Sequence, residues 1–255
     1  MILAVDIGNT NIVMGCIDKD GVYFECRIST DKHKTEAEYT VTFKHILDVY
    51  GIDLNKISGT IVSSVVPPIT NAVKNALTFI TGHKTLEANI LANHGLKVRS
   101  DNPSELGNDL IVAAVAALKE HKPPLIIIDM GTATTVSVID KEGYFLGCII
   151  APGIKISMEA LSKEASQLPS ISLDAPSHVV GRHTAECMQS GIIYGNASMI
   201  DGLIDKIEKE IHAKATVLAT GGLAKTIVPH CTHDIIYDDE IMLRGLMYLY
   251  EQNKK

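Results

Sequence analysis

Two stretches of the chain, each opened by a short apolar run, resemble each other. Residues 2–21, ILAVDIGNTNIVMGCIDKDG, are echoed by residues 126–143, IIIDMGTATTVSVIDKEG, so that Asp6-Ile7-Gly8 matches Asp129-Met130-Gly131. In each copy an apolar run of strand length meets an Asp, turns at a Gly and resumes as a second apolar run. The match continues to Asp18-Lys19-Asp20-Gly21 against Asp140-Lys141-Glu142-Gly143, one residue earlier in the second copy, and Gly after two charged residues predicts a hairpin there. A duplicated domain is the economical reading. The boundary is expected near His121-Lys122-Pro123-Pro124, because paired prolines end the preceding helix and a β-type run follows. The expected domains are therefore residues 1–121 and 122–255.

Between these landmarks the periodicity predicts a strand over 22–28, a helix over 36–50 with Val41, Ile46, Leu47 and Val49 apolar, and a strand over 59–63. A helix through Val73, Leu77 and Ile80 follows, then one over 104–119 opened by Pro103-Ser104. In the second half, strands over 125–140 and 144–150 precede a helix over 153–164 and an irregular stretch over 165–182. A long helix over 183–212, a strand over 216–219 entering Thr220-Gly221-Gly222, and a helix over 239–251 complete the chain. Alternating helices and strands predict an α/β fold. Met188, Ile192, Met199, Leu203 and Ile207 lie near one face of the long helix, which suits a core or a homodimer contact equally.

Composition narrows the function classes. The chain has 255 residues, 46% hydrophobic and 21% charged, and its 30 acidic against 23 basic residues give a net charge of −7. That balance argues against a surface built for nucleic-acid phosphates or anionic lipid, while a small anionic ligand stays compatible. With no Trp and only four Phe, no base-stacking platform is expected. Five dispersed cysteines without a C-x-x-C suggest a reducing, cytoplasmic compartment. No basic leader precedes Asp6 and no uncharged stretch approaches the ~20 residues that span a bilayer, so neither a targeting nor a membrane segment is expected. The histidines lack H-x-x-x-H or H-E-x-x-H spacing, which counts against a zinc site.

An Asp at the end of an apolar strand is costly to bury unless it is paired, hydrogen-bonded or near a cation. Here one occurs at matching positions of both halves. Asp6-Ile7-Gly8-Asn9-Thr10-Asn11 offers exposed amides with Asn and Thr side chains suited to phosphate oxygens, and Gly131-Thr132-Ala133-Thr134-Thr135 repeats that hydroxyl-rich chemistry. Two such hairpins facing each other across a cleft would clamp a triphosphate, with an Asp on each side for a metal ion or its water. No G-x-x-x-x-G-K-[ST] occurs, which excludes a P-loop, and no G-x-G-x-x-G follows a strand.

The duplicated D-x-G hairpin with the late Thr220-Gly221-Gly222 resembles the sugar-kinase, heat-shock-chaperone and actin (ASKHA) superfamily. Within it, Asp6 to Asn11, Ser63-Ser64-Val65-Val66-Pro67-Pro68, Asp101-Asn102-Pro103, Asp129 to Thr135, Ala151-Pro152-Gly153-Ile154, Met188-Gln189-Ser190-Gly191 and Ala219-Thr220-Gly221-Gly222 resemble the bacterial type III pantothenate kinases in order and spacing, over nearly the whole chain. The resemblance implies two duplicated ASKHA domains (ribonuclease H-like, actin-like ATPase) with a nucleotide cleft between them. It also implies a cytoplasmic, homodimeric kinase that phosphorylates the primary hydroxyl of pantothenate to 4′-phosphopantothenate, the first step of coenzyme A biosynthesis. ATP with Mg2+ and a monovalent cation, K+ or NH4+, are the implied cofactors. By the same resemblance Asp6, Ile7, Gly8, Asn9, Thr10, Asn11, Ile12 and Val13 form the phosphate-binding hairpin, Gly131 and Thr132 a second ATP contact, and Asp129 the monovalent-cation ligand. Asp109, in Gly107-Asn108-Asp109, takes the general base, a role that needs a carboxylate within ~3 Å of the hydroxyl. Ser100, Gly107, Asn108, Asp109 and Leu110 correspond to the acceptor pocket, joined by Thr184, which in the family reaches the substrate across a subunit interface.

Three positions depart from the family pattern, which reads Tyr-x-Asn-Pro and then Gly-x-Asp-Arg with an Asn three residues beyond. Ser100 stands at the Tyr, Leu110 at the Arg and Ala113 at the Asn. The Arg-to-Leu difference removes five donors and a permanent charge from a site for a carboxylate-bearing substrate. Lys97, Arg99 and Arg182 are the nearby cations that could substitute. Two alternatives therefore accompany the leading reading: a kinase for a different, less acidic small alcohol, and a nucleotide-binding accessory or regulatory protein without turnover. Asp109 read alone also suits a first-turn helix acid favoured by the macrodipole.

Overall fold

The apolar runs of the first copy form strands β1 (Ile2–Ile7) and β2 (Asn11–Asp18), with β3 (Gly21–Ser29) returning beside β2. The computed structural model describes residues 1–89, 94–99 and 101–254. Strands β4 (Thr60–Ser64) and β5 (Leu86–Ala88) complete a sheet of order β3-β2-β1-β4-β5, antiparallel across β3, β2 and β1, and parallel from β1 to β5. Period-two alternation gives this sheet two apolar faces. Leu3, Val5 and Ile7 pack on Tyr39, Phe43 and Leu47 of α1 (Glu36–Val49) and on Ile69, Val73 and Leu77 of α2 (Pro67–Thr81). Ile2, Ala4 and Ile61 pack on Ile111, Val112 and Val115 of α3 (Asn108–Glu120) and on Leu243, Leu246 and Leu249 of the C-terminal helix (Ile241–Asn253). A capping box of Thr35 and Glu38 starts α1 by satisfying donors that the helix leaves open.

The second copy repeats the plan. Strand β6 (Lys97–Val98) lies at one edge, and β7 (Leu125–Met130), β8 (Ala133–Ile139), β9 (Tyr144–Pro152), β10 (Thr216–Thr220) and β11 (Ile236–Tyr237) give the order β11-β10-β7-β8-β9-β6. Set against the first sheet, β7, β8, β9, β10 and β11 stand where β1, β2, β3, β4 and β5 stand, with the same directions. This is the duplicated α/β arrangement expected of an ASKHA fold. Helices α4 (Ile154–Glu164), α5 (Thr184–Ile211) and α6 (Ala224–Ile227) flank the sheet. Along α5, Met188, Ile192 and Ile207 are buried, and Ile192, Ile207, Met199 and Leu203 belong to the same core as Ile126, Ile128 and Val217, so that face belongs to the core of its own unit.

Contacts group the chain as Met1–Leu96, Asp101–Lys119 and Glu240–Lys255 in one unit, and Lys97–Ser100 and Glu120–Asp239 in the other. The chain first crosses at Leu96/Lys97, where β6 joins the second sheet, and after its return crosses again at Lys119/Glu120. The C-terminal helix, however, returns to the first unit, because its Leu243, Leu246 and Leu249 complete that unit's core. The helix expected over 104–119 is also divided: Pro103–Glu105 forms a single 3₁₀ turn, Leu106 is extended, and α3 starts only at Asn108. Among the described residues no helix is long and apolar enough to cross a membrane.

Candidate active site

In the first unit the parallel pairing of β1 and β4 brings their C-terminal ends together, with Ile7 beside Ser64 and Val65 N–H donating to Ile7 O at 3.0 Å. The D-x-G turn leaving β1 there has three residues, Gly8, Asn9 and Thr10, closed by Gly8 N–H donating to Asn11 O at 2.9 Å. Its shape is braced from β3 and beyond. Thr30 Oγ1 donates to Gly8 O at 2.6 Å, Thr30 N–H to Thr10 O at 2.9 Å, and Lys32 Nζ to Asn9 Oδ1 at 3.3 Å. Asn9, Thr10 and Asn11 are exposed, and Asp6, Gly8 and Val13 are partly so. Ile7 and Ile12 are fully buried and pair with each other across the β1/β2 ladder, so they shape the turn from below.

Helix α3 begins against the same strand end, where Asn108 Nδ2 donates to Ser64 O at 3.0 Å. Asp109 follows, half-buried, with Oδ1 accepting Leu110 N–H at 2.9 Å. Burial pushes the Asp109 carboxyl above the usual Asp range, opposed in part by the Leu110 and Asp109 backbone N–H groups. No cation is paired with it among the described residues. Gly107 leaves the space this carboxylate occupies, since a Cβ there would stand 2.5 Å from Asp109 Oδ1. A half-buried, unpaired carboxylate at a helix start can accept a proton from an alcohol brought to it.

In the second unit the matching turn has two residues, Gly131 and Thr132, closed by Gly131 N–H donating to Ala133 O at 3.0 Å. Two further glycines wall it in. A Cβ on Gly153 would stand 2.0 Å from Thr132 O, and one on Gly221, whose φ is +93°, would stand 2.4 Å from Asp129 Oδ1 and 2.7 Å from Met130 N. The Ala151-Pro152-Gly153-Ile154 and Ala219-Thr220-Gly221-Gly222 stretches thus owe their glycines to close backbone approach around Asp129 and Thr132. Thr184 opens α5 on an exposed turn, which Arg182 N–H ties to Glu186 Oε2 at 2.9 Å. Ser100 lies outside the described residues. Arg99, a candidate replacement for the missing Arg, is engaged within its own unit: Nη1 pairs with Asp140 Oδ2 at 3.0 Å and the guanidinium lies 3.8 Å from the Tyr144 ring centre.

Residues 2–206 match the family described as type III pantothenate kinase. A type III pantothenate kinase of Bacillus cytotoxicus is 42% identical over 253 residues, covering 99% of this chain and 97% of that protein. The chain belongs to the type III pantothenate kinase family. Among solved structures, a Campylobacter jejuni protein described as a Baf family transcriptional activator superposes with a TM-score of 0.60 at 20% identity, covering 99% of this chain and 98% of that one. Component A of the Acidaminococcus fermentans (R)-2-hydroxyglutaryl-CoA dehydratase does so with a TM-score of 0.57 at 14% identity, covering 100% and 99%. At these identities the two structures speak for the fold alone.

The structure therefore gathers Asp6 to Val13 with Gly107 to Leu110 at one end of the first sheet, and Asp129, Gly131 and Thr132 at the corresponding end of the second. Sequence reasoning missed the bracing by Thr30 and Lys32, whose partners are two main-chain carbonyls and one side-chain amide and leave no motif.

Proposed function

We propose that the protein transfers the γ-phosphoryl group of ATP to the primary hydroxyl of pantothenate, yielding 4′-phosphopantothenate and ADP as the first step of coenzyme A biosynthesis. The observation that carries this reading is Asp109, a half-buried carboxylate without a paired cation, fastened through Asn108 beside the first D-x-G turn. Family membership supports it. Asp109 accepts the hydroxyl proton as the alcohol oxygen bonds to the γ-phosphorus and the bond to the β,γ-bridging oxygen breaks. Main-chain amides and the Asn9, Thr10 and Asn11 side chains of the braced turn hold the phosphates, and the matching turn of the second unit carries the exposed Thr132, a hydroxyl donor of the same chemistry.

The donors at both turns are oxygens, from the carboxylates of Asp6 and Asp129 and from hydroxyls and carbonyls, which suits Mg2+ and a large monovalent cation such as K+ or NH4+. Asp6 would face the divalent ion and Asp129 the monovalent one. Bound there, the cations offset the charge of the triphosphate. Thr184, exposed at the start of α5 beside exposed Val179 and Val180, is the residue offered to a second copy in a homodimer. The free cysteines fit a reducing cytoplasm.

A second reading keeps the phosphotransfer and changes the acceptor to a less acidic alcohol. It is favoured by Leu110 following Asp109, by Ala113 in the core, and by the commitment of Arg99 to Asp140. A coupled ADP-release assay decides between them. Pantothenate-dependent turnover is expected, whereas none at any ATP and K+ concentration, with turnover on an uncharged alcohol, would replace the first reading by the second.

A further inference from the structure

Ser63 is fully buried, and its hydroxyl has no hydrogen-bond partner among the described residues. An unsatisfied buried hydroxyl is destabilising, and each one kept in a native fold calls for an explanation. Its neighbour Ser64 provides the contrast, with Oγ accepting Val66 N–H at 3.1 Å and Thr70 Oγ1 at 2.7 Å. Alternation along β4 sends the two serines to opposite faces. Val62 and Ser64 face α1 and α2, while Ile61 and Ser63 face α3 and the C-terminal helix.

Asp6 points to that second face as well, two residues on from Ala4 and four from Ile2. The parallel ladder pairs Asp6 with Ser63 directly, on strands about 4.8 Å apart. The first turn of α3, carrying Asp109, is fastened to the very next residue, Ser64. The orphan hydroxyl, the D-x-G carboxylate and the start of α3 therefore share one end of one sheet face. The second unit repeats the pairing, with Thr220 beside Asp129 across the parallel β7/β10 ladder and only 4% exposed.

We propose that Ser63 is a positioning residue, whose hydroxyl donates to the Asp6 carboxylate once nucleotide occupies the first turn and so holds that carboxylate toward the phosphates. The inference rests on the kinase reading above. A serine side chain reaches its three staggered positions without backbone movement, and an ionised carboxylate has about four lone-pair sites, so Asp6 accepts this bond while keeping its other contacts.

The test compares Ser63→Ala and Ser64→Ala in the full chain by thermal melting of the ligand-free protein, calorimetric binding of a non-hydrolysable ATP analogue with Mg2+, and steady-state kinetics. Ser63→Ala removes an unsatisfied donor, so its Tm is expected to hold or rise. Its nucleotide affinity falls about tenfold, as for a lost hydrogen bond to a charged group. The KM for ATP rises with it and the KM for the acceptor does not. Ser64→Ala loses bonds already made, and its Tm falls. Unchanged nucleotide affinity in Ser63→Ala, or a lowered Tm of the ligand-free variant, would overturn the proposal. Wild-type protein that binds the nucleotide but phosphorylates no pantothenate would refute the function reading alone, because the binding and melting comparison stays legible.

Discussion

The two D-x-G turns descend from one plan and have been built for different tasks. The first is three residues long, exposes Asn9, Thr10 and Asn11, and adds to its own Gly8–Asn11 backbone bond a brace that reaches it from outside, through Thr30 and Lys32. The second is two residues long and is closed by backbone, with Gly153 against Thr132 and Gly221 against Asp129 and Met130. One turn is an open set of donors on an adjustable brace; the other is a rigid wall whose position depends on the absence of side chains. Duplication preserved the strand order and left the loops free to diverge, which is where binding chemistry usually resides.

That contrast can be broken most directly at Gly221. Gly221→Ala would combine a left-handed φ with a Cβ 2.4 Å from Asp129 Oδ1 and 2.7 Å from backbone, so a loss of about 3 kcal/mol in a denaturant melt is expected. A loss under about 1 kcal/mol would mean that the second turn yields as readily as the first. The twin β-hairpins give a smaller effect. Asp18 accepts Asp20 N–H at 2.9 Å and Tyr23 OH at 3.0 Å, the former chiefly holding its carboxyl below the usual range, while Asp140 accepts Glu142 N–H and Tyr144 N–H and adds the Arg99 ion pair. Since Arg99 is half exposed, Arg99→Ala should cost about 1 kcal/mol and become less costly in high salt.

Gly8→Ala tests the open turn. Its Cβ would meet nothing closer than Asn11 O at 3.1 Å, so the expected stability loss is about 0.5 kcal/mol, with weaker nucleotide binding as the larger consequence. The smallest stability effect concerns Asp109. Burial raises its native pKa above the unfolded value of about 3.9, so the native state holds more protons than the unfolded one between those two values. Its contribution to stability is therefore greatest at acid pH and declines as pH rises through the raised pKa. Melts of Asp109→Asn at pH 7 should match or slightly exceed wild type, and a clear fall in Tm would show the carboxylate to be a structural group.

Much of this was legible in the chain. The repeated apolar run, the D-x-G and the Asp18 and Asp140 hairpins encode local geometry, and the strands and turns follow them. Helices α1, α4 and α5 start and end within two residues of their expected limits, because caps and periodicity are local signals. The strands of two residues, β6 and β11, were not legible, being too short to carry an alternating pattern. Nor was the return of the C-terminal helix to the first core, since an apolar stripe does not name its partner. The helix expected from Pro103 fails for a local reason: Leu106 is extended and Gly107 makes room for Asp109. The candidate catalytic residue was reached through resemblance, whereas its burial, its missing cation and the orphan hydroxyl of Ser63 needed coordinates.

The central claim is that the first unit carries the proton-accepting group of a pantothenate kinase. The most direct measurement is the rate of 4′-phosphopantothenate formation from ATP and pantothenate by wild-type protein and by Asp109→Asn, both shown folded. The account predicts product with the wild type, and a rate at least about 100-fold lower with the variant. Equal rates in the two proteins, or no phosphopantothenate from the wild type, would contradict it.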